Sequence, residues 1–278
     1  MSSYLRPTAL SDALSALAEG GRTIVAGGTD FYPARVGKPL DEDVLDVTAI
    51  EGLRTIEDKG DHYLIGATAT WTDLIRADLP DWFRAMKMAA REVGSVQIQN
   101  AGTIVGNVCN ASPAADGVPG LIALDASVRL ASVSGERDVP MSEFVLGNRK
   151  TALKADEMVV GLCIPKCRND AKSAFLKLGA RKYLVISIVM VSAVLEKAAD
   201  GTVDRCRIAV GSCSEVATRL PDLEAALAGL PADAALADIV AVDHLAPLSP
   251  IGDVRGSADY RLDAALTLVR RALAELTE

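Results

Sequence analysis

The sequence predicts a mixed α/β fold, and three observations support this prediction. Half of the 278 residues are apolar while only 4% are aromatic, and Ala, Val, Leu and Ile dominate the apolar set, as in many α/β proteins. Short strand-like and helix-like segments alternate closely along the first half of the chain, which indicates a small βα unit. The length fits one large domain or two moderate ones, with enough apolar residues for a substantial core.

The first half of the chain shows this alternation most clearly. "SDALSALAEG" predicts a helix with Ser11 as its N-cap and the paired glycines at its end, and "RTIV" predicts the strand that follows. Residues 43–50 predict a second strand. "HYLIGATATWTDLIRA" predicts a strand that leads into a helix capped by Thr70 or Thr72. "DWFRAMKMAAREVG" predicts a helix with one apolar face. The members of that face are Trp82, Met86, Ala89 and Val93.

The second half is predicted as two strand-rich segments separated by a boundary. "PGLIALDASVRLASVSGERDV" predicts a helix and a hairpin closed by "SGE", and "DEMVVGLCIP" predicts a strand. The polar stretch 166–173 is the predicted domain boundary. The β-branched run 183–195 predicts a buried strand, and "DGT" at 200–202 predicts the next hairpin. Helices are predicted at 221–229 and 260–276. The apolar stripe of the second helix is Leu262, Leu266, Val269 and Leu273.

Composition excludes several classes of function. The net charge of −8 and the sequence pI near 5.0 argue against a nucleic-acid partner. The five cysteines form no CxxC pair, so we expect reduced cytoplasmic thiols and no disulfide framework, zinc site or iron–sulfur site on this chain. The N-terminal residues lack a secretory signal pattern. The longest apolar run has thirteen residues, which is too short for a membrane-spanning helix.

Two adjacent glycines follow the second predicted element, in "VAGGTD" at residues 25–30. Glycine permits positive φ and close approach of a ligand to the main chain, and consecutive N–H groups form an anion-binding nest. Gly27, Gly28 and the Thr29 hydroxyl are therefore candidate phosphate donors. The spacing matches neither GxGxxG nor a Walker loop. An ordinary strand-to-helix turn explains the same glycines, so this loop alone leaves both interpretations open.

A second glycine-containing segment, "GTIVGNVCNASPAAD" at 102–116, carries short polar side chains and no cation. Its hydroxyl and amide groups, including those of Thr103, Asn107 and Ser112, can donate hydrogen bonds to phosphate oxygens. A carboxylate such as Asp116 can accept hydrogen bonds from sugar hydroxyls. A polar surface loop is the alternative, although the small uncharged side chains favour a loop that packs against something.

These segments resemble one known family. "VAGGTD" followed by "QIQNAGTIVGNVCNASPAAD" is similar to the FAD-binding medium subunit of the xanthine dehydrogenase and carbon monoxide dehydrogenase family of molybdenum hydroxylases. "YLRPTALSDALSAL", "DEMVVGLCIP", "SAFLKLGARKYLVISIVMVSAVL" and "DVRGSADYRLDAALTLVRRAL" resemble the N-terminal strand and helix, the central strand, the first C-terminal strands and the closing helix of that subunit. Each piece is short, but together they follow the family's order along nearly the whole chain.

The resemblance implies an α+β fold in two domains. Residues 1–168 would form a two-part FAD-binding domain of the vanillyl-alcohol-oxidase type, with subdomains of about 1–55 and 56–168. Residues 169–278 would form a C-terminal α/β domain with a small antiparallel sheet packed on helices.

The resemblance also implies how FAD is held. The loop 25–30 and the turn 103–107 would hold the pyrophosphate, Asn110 and Asp116 would hold hydroxyls or the remaining phosphate edge, and Val160 would make an apolar contact. The complete implied set is Val25, Ala26, Gly27, Gly28, Thr29, Asp30, Thr103, Gly106, Asn107, Asn110, Asp116, Val160, Lys177 and Tyr183.

Two of these residues concern the flavin ring. Lys177 matches a lysine near the isoalloxazine carbonyls, where a cation would stabilise the anionic reduced flavin, and an exposed surface lysine is the alternative. Tyr183 is a candidate for stacking on the ring. The sequence departs from the family pattern at two positions. Val105 replaces the first glycine of a frequent pair, and Gln99 replaces a common arginine, so backbone donors must carry more of the phosphate binding.

No residue is an evident acid, base or nucleophile toward an organic substrate. The resemblance implies that substrate reacts at a molybdenum cofactor on a large subunit. Electrons would then pass through two [2Fe–2S] clusters on a small subunit to FAD on this chain, and onward to NAD⁺, oxygen or another acceptor. The implied assembly is a heterotrimer or a dimer of heterotrimers. The alternatives are a stand-alone FAD oxidoreductase on the same fold and a structural subunit that has lost FAD.

Overall fold

The computed structural model of the protein describes residues 2–278, and the predicted α+β architecture is confirmed. The strands are β1 (Tyr4–Leu5), β2 (Arg22–Val25), β3 (Asp43–Asp46), β4 (Ile56–Asp58), β5 (His62–Gly66), β6 (Ser127–Ser132), β7 (Gly135–Pro140), β8 (Val145–Gly147), β9 (Lys150–Thr151), β10 (Met158–Pro165), β11 (Lys172–Leu178), β12 (Val189–Lys197), β13 (Val203–Gly211) and β14 (Thr218–Arg219). The α-helices are α1 (Leu10–Ala18), α2 (Trp71–Arg76), α3 (Arg84–Glu92), α4 (Val96–Ala101), α5 (Ile104–Asn110), α6 (Gly117–Ala123), α7 (Met141–Phe144), α8 (Pro221–Leu227), α9 (Leu236–Ile239) and α10 (Ala258–Thr277).

The N-terminal part is a three-stranded parallel sheet in the order β1-β3-β2. Helix α1 connects β1 to β2 and buries Ala13, Ala16 and Leu17. The prediction of Ser11 as the N-cap is wrong, because the helix begins at Leu10 with Ala9 as a cap that makes no side-chain hydrogen bond. The earlier start lets the Ala13 N–H donate to the Ala9 carbonyl, at 3.4 Å.

A five-stranded antiparallel sheet follows, in the order β4-β5-β10-β6-β7. The predicted hairpin of β6 and β7 is confirmed, with Ser132 opposite Gly135. Thr70 rather than Thr72 caps α2. The Thr70 hydroxyl accepts the Asp73 N–H, and the Asp73 carboxylate accepts the Thr70 N–H, which completes a capping box.

The segment at 102–116, predicted as a loop, is helical over much of its length. Helix α5 begins after Thr103, whose hydroxyl accepts the Gly106 N–H at 2.9 Å, and α6 follows after a short turn. The low helix propensity of glycine and asparagine misled the prediction. Burial of Ile104 and Val108 outweighs that propensity, because tertiary packing supplies most of the stability of short helices.

The C-terminal part is a four-stranded antiparallel sheet in the order β11-β12-β13-β14, packed against helices. The predicted hairpin at 200–202 and the predicted helices are confirmed. The predicted strand at 183–195 begins only at Val189. Leu184 has a left-handed backbone with φ of 52°, which interrupts an extended strand, and its carbonyl accepts hydrogen bonds from the Arg181 guanidinium.

The apolar core has two principal clusters. One is built from the N-terminal sheets and the helices α1, α2, α3, α5, α6 and α7, and it also takes Val194, Ala209 and Ala217 from the C-terminal part. The other lies between the C-terminal sheet and α8 to α10. Helix α6 packs between the two parts, in contact with α3 and α5 on one side and with β12 and β13 on the other. All seven of its residues are buried. Within residues 2–278, no helix combines the length and apolar character needed to cross a membrane.

Candidate cofactor site

A cavity of about 1270 Å³ is lined from two sides by separate parts of the chain. One side comes from α1, the parallel sheet and the loop after β2. The other comes from α2, α5 and the turn that leads into β10. The lining of the cavity includes Leu17, Arg22, Ile24, Val25, Ala26, Gly27, Gly28, Thr29, Asp30, Val47, Trp71, Thr103, Val105, Gly106, Asn107, Cys109, Asn110, Leu153, Lys154, Ala155, Glu157, Met158 and Val159. The two glycine-containing segments of the sequence therefore face one cavity.

Gly27 permits the close contact that brings these segments together. A Cβ atom at residue 27 would lie 2.1 Å from the Ala101 carbonyl oxygen, far inside van der Waals contact. Only glycine lets the loop after β2 rest on the backbone between α4 and α5. Gly28 has φ of 68°, a left-handed conformation that costs little only for glycine.

The loop after β2 exposes a run of backbone donors to the cavity. Within the described residues, no backbone or side-chain acceptor receives the N–H groups of residues 27–30. Residues 27–29 are half-buried, and N–H groups away from water are almost always paired, so this run is the expected feature of a site whose acceptor is a ligand. Successive donors in a turn form a concave nest that favours phosphate oxygens.

Helix α5 lines the opposite side. The side-chain oxygen of Asn107 is buried and, within residues 2–278, receives no hydrogen bond. It faces Gly117 of α6, where a Cβ would lie 3.3 Å from it. Val105, which replaces a frequent glycine of the family, also lines the cavity and is buried. It is a helical residue in α5, so its side chain imposes no left-handed strain.

Thr103 fixes the beginning of α5. We expect Thr103→Ala to lower the free energy of unfolding by about 1 kcal/mol, because the Gly106 N–H loses its acceptor. Urea unfolding of the purified chain measures this change. Thr70→Ala, which removes the equivalent cap of α2, is the matched comparison and should cost a similar amount. An unchanged unfolding midpoint for Thr103→Ala would contradict the capping role.

Five charged residues that line the cavity were missed from the sequence: Arg22, Arg35, Arg149, Lys154 and Glu157. Glu157 lines the cavity just before β10, and its carboxylate accepts two hydrogen bonds from Arg137, with Nε at 2.7 Å and Nη2 at 2.8 Å. These bonds, more than any other influence, lower the pKa of Glu157 to about 2. The only sequence signal is a lone glutamate at the start of an otherwise apolar strand. Burial raises the pKa of the cavity thiol, Cys109, to about 12, which favours its neutral form at neutral pH.

The structure brings most of the predicted site residues to this cavity. Those at the cavity are Val25, Ala26, Gly27, Gly28, Thr29, Asp30, Thr103, Gly106, Asn107 and Asn110. The remaining four, Asp116, Val160, Lys177 and Tyr183, do not line it. Val159 and Met158 provide the apolar wall on β10, and Val160 is buried elsewhere. Tyr183 is 63% exposed, in the loop before β12.

Asp116 and Lys177 form a buried pair at the junction of the two parts. The Lys177 Nζ lies 2.7 Å from Asp116 Oδ2, and the Ser187 hydroxyl donates to Asp116 Oδ1 at 2.6 Å. Both side chains are at most 10% exposed, so Lys177 is not the exposed surface lysine that the sequence left as the alternative. Burial raises the pKa of Asp116, and the charge of Lys177 and the two hydrogen bonds oppose that rise.

The other departure from the family pattern, Gln99, lies in α4. Its side-chain amide donates to the Arg91 carbonyl at 3.1 Å. The residue does not line the cavity, although its neighbour Ile98 does. Because glutamine is uncharged, position 99 supplies no positive charge for a phosphate bound at residues 27–30.

The residues present fit a dinucleotide such as FAD. The cavity volume exceeds the usual range for drug-sized ligands, as an extended dinucleotide requires. The nest at 27–30 suits a diphosphate. Apolar side chains line part of the cavity and can pack against a ring system. They include Leu17, Ile24, Val47 and Trp71.

Comparison with protein-family models agrees with this fit. Residues 1–167 match the FAD binding domain in molybdopterin dehydrogenase, and residues 174–276 match the CO dehydrogenase flavoprotein C-terminal domain.

Individual relatives match along their whole length. The carbon monoxide dehydrogenase medium chain of Hydrogenophaga pseudoflava is 30% identical, with 97% of this chain and 95% of the relative covered. The nicotine 6-hydroxylase medium subunit of Paenarthrobacter nicotinovorans is 28% identical, with 98% and 96% covered. In structure, the chain is similar to reconstituted CO dehydrogenase from Oligotropha carboxidovorans, with a TM-score of 0.88, 28% identity, and 100% and 97% covered.

The unpaired donors facing a dinucleotide-sized cavity and the two family matches point to the same cofactor, FAD. The chain belongs to the family of FAD-binding medium subunits of the carbon monoxide dehydrogenase and xanthine dehydrogenase type, and it is an FAD-dependent oxidoreductase subunit.

Proposed function

We propose that the cavity holds FAD and that the chain carries electrons between an iron–sulfur partner and a soluble acceptor. The observation that supports the location is the run of backbone N–H donors at residues 27–30, which have no acceptor in the described chain and face a cavity of sufficient size. When bound, FAD supplies redox chemistry that links single-electron donors to a two-electron acceptor such as NAD⁺.

The chain's own residues bind and orient the cofactor. The N–H groups of 27–30 hold the diphosphate, with the Thr29 hydroxyl as a further donor. Asn107 and Asn110 contribute polar side chains on the same helix. Val159 and Met158 exclude water from an apolar end. These roles need no proton transfer by the protein, which agrees with the lack of an evident acid or base.

The buried pair of Asp116 and Lys177 is the proposed electrostatic component. We retain Lys177 as a cation that acts on the flavin ring, with Asp116 and Ser187 holding its position. Tyr183 is retained as a stacking candidate because it lies in the loop that also carries Ser187. Val160 is retained as an apolar contact one residue from the lining Val159.

The proposed assembly is a heterotrimer or a dimer of heterotrimers. Its other chains would be a large subunit with the molybdenum cofactor and a small subunit with two [2Fe–2S] clusters. Relatives named as medium chains and medium subunits support this division. The proposed domains are 1–168, in two subdomains of about 1–55 and 56–168, and 169–278. The two principal apolar clusters support a division between the parts.

Two measurements test the proposal. The purified chain should bind FAD with one equivalent per chain, seen as visible flavin absorbance that comigrates with the protein. Native extract should place the chain in a complex much larger than its own 29.1 kDa. A colourless chain that refuses FAD would identify a structural subunit. A flavin-loaded monomer that oxidises a substrate alone would identify a stand-alone enzyme.

A further inference from the structure

Glu157 places a carboxylate at the wall of a cavity that is proposed to take an anionic cofactor. The residue is only 6% exposed, and it stands at the entry to β10, beside the cavity-lining Met158 and Val159. An unneutralised carboxylate here would repel a diphosphate across a medium of low dielectric constant. Some feature of the protein must therefore compensate its charge.

Arg137, on β7, supplies most of that compensation through two hydrogen bonds, while the exposed ammonium of Lys154 lies 3.9 Å from Glu157 Oε1. The Arg137 Nε and Nη2 atoms donate to the two oxygens of Glu157, and Nη2 also donates to the Ala152 carbonyl at 3.1 Å. The Lys154 N–H donates to Glu157 Oε2 at 2.9 Å. One guanidinium and one carboxylate thus fix both ends of the turn 152–157.

That turn is part of the cavity wall. Leu153, Lys154 and Ala155 line the cavity along with Glu157. Arg137 itself does not line it. Its influence on a bound ligand would therefore pass through Glu157 and the turn.

We propose that Arg137 is a positioning residue for FAD, which neutralises Glu157 and holds the wall turn 152–157 in its binding geometry. This inference rests on the proposed location of FAD in the cavity. It assigns a role in cofactor binding to a residue that touches neither the cofactor nor the loop 25–30.

The same hairpin contains a matched control. Arg129, on β6, makes the same kind of two-pronged contact with Asp138, with Nε to Oδ1 at 2.9 Å and Nη2 to Oδ2 at 3.0 Å. Neither residue lines the cavity. Loss of the Arg129 contact therefore removes a similar ion pair from the same hairpin without changing the cavity wall.

The experiment measures the dissociation constant of FAD for the full chain by quenching of flavin fluorescence. Arg137→Gln should weaken FAD binding about tenfold or more, and Arg129→Gln should leave it unchanged. Arg137→Lys keeps the positive charge but cannot form both hydrogen bonds to the carboxylate, so it should weaken FAD binding by an intermediate amount.

The double variant Arg137→Gln/Glu157→Gln distinguishes an effect of the Glu157 charge on FAD affinity from a general loss of protein stability. It lacks the uncompensated carboxylate, so it should bind FAD more tightly than Arg137→Gln alone. A purely structural pair would make the double variant no better than the single one. Equal FAD affinity for Arg137→Gln and Arg129→Gln would overturn the inference, and if Arg137→Gln does not fold, wild-type FAD affinity in Arg137→Lys would do so.

One further variant keeps the inference separate from the location of the site. Gly27→Ala perturbs the proposed diphosphate loop directly. If Gly27→Ala weakens FAD binding while Arg137→Gln does not, the proposed location of FAD is supported and the proposed role of Arg137 is wrong. If neither variant affects FAD binding, the proposed location itself is wrong.

Discussion

Gly27→Ala should reduce FAD affinity by about a hundredfold. The added Cβ would sit 2.1 Å from the Ala101 carbonyl oxygen, so the loop after β2 must move away from α4 and α5. The obstacle is backbone, which cannot rotate aside as a flexible side chain can. Loss of two charge-assisted hydrogen bonds from the N–H groups of 27–30 corresponds to about 3 kcal/mol, and each 1.4 kcal/mol is a factor of ten.

The measurement is a fluorescence titration of the apoprotein with FAD, paired with urea unfolding of the same preparation. Gly252→Ala is the control, because a Cβ there meets nothing closer than 3.7 Å and its backbone is not left-handed. The control should bind FAD as the wild type does. Wild-type affinity in Gly27→Ala would mean that the diphosphate does not lie on this loop.

The paired glycines marked the loop after β2 from local chemistry, but only the family resemblance assigned the diphosphate to it. Paired glycines after a strand have few uses other than a tight turn or close approach of a ligand, and Gly27 and Gly28 provide both. Thr70 was predictable as a cap for the same reason, since the capping box depends on a residue only three positions away. Such features are encoded within a few residues of one another.

The missed features depend on contacts between distant residues. Glu157 meets Arg137 across twenty positions, and nothing near either residue marks the pair. The helix α5 was missed because burial by other elements, which local propensity does not register, stabilises it. Only the family resemblance singled out Lys177. The partnership of Lys177 with Asp116, sixty-one positions away, became evident only in three dimensions.

The buried pair leads to the largest expected effect on stability. Lys177→Met should lower the free energy of unfolding by about 3–5 kcal/mol at neutral pH, because Asp116 would remain buried without its cation. Urea unfolding measures the loss. Lys166→Met is the control, since Lys166 pairs with Asp58 at the same 2.7 Å but in an exposed position, where an ion pair contributes little.

The pH dependence of that loss identifies its cause. Burial already raises the pKa of Asp116 above its ordinary value of 3.8, and removal of Lys177 removes an influence that holds it down. A carboxyl group whose pKa is higher in the folded than in the unfolded protein destabilises the fold at neutral pH. That penalty fades as the pH falls through the folded pKa, and it is absent below the unfolded value. The deficit of Lys177→Met should therefore shrink steadily on acidification. Adding Asp116→Asn should remove most of the deficit at neutral pH, and a deficit that is independent of pH and unaffected by Asp116→Asn would show that lost packing, not the buried charge, is its origin.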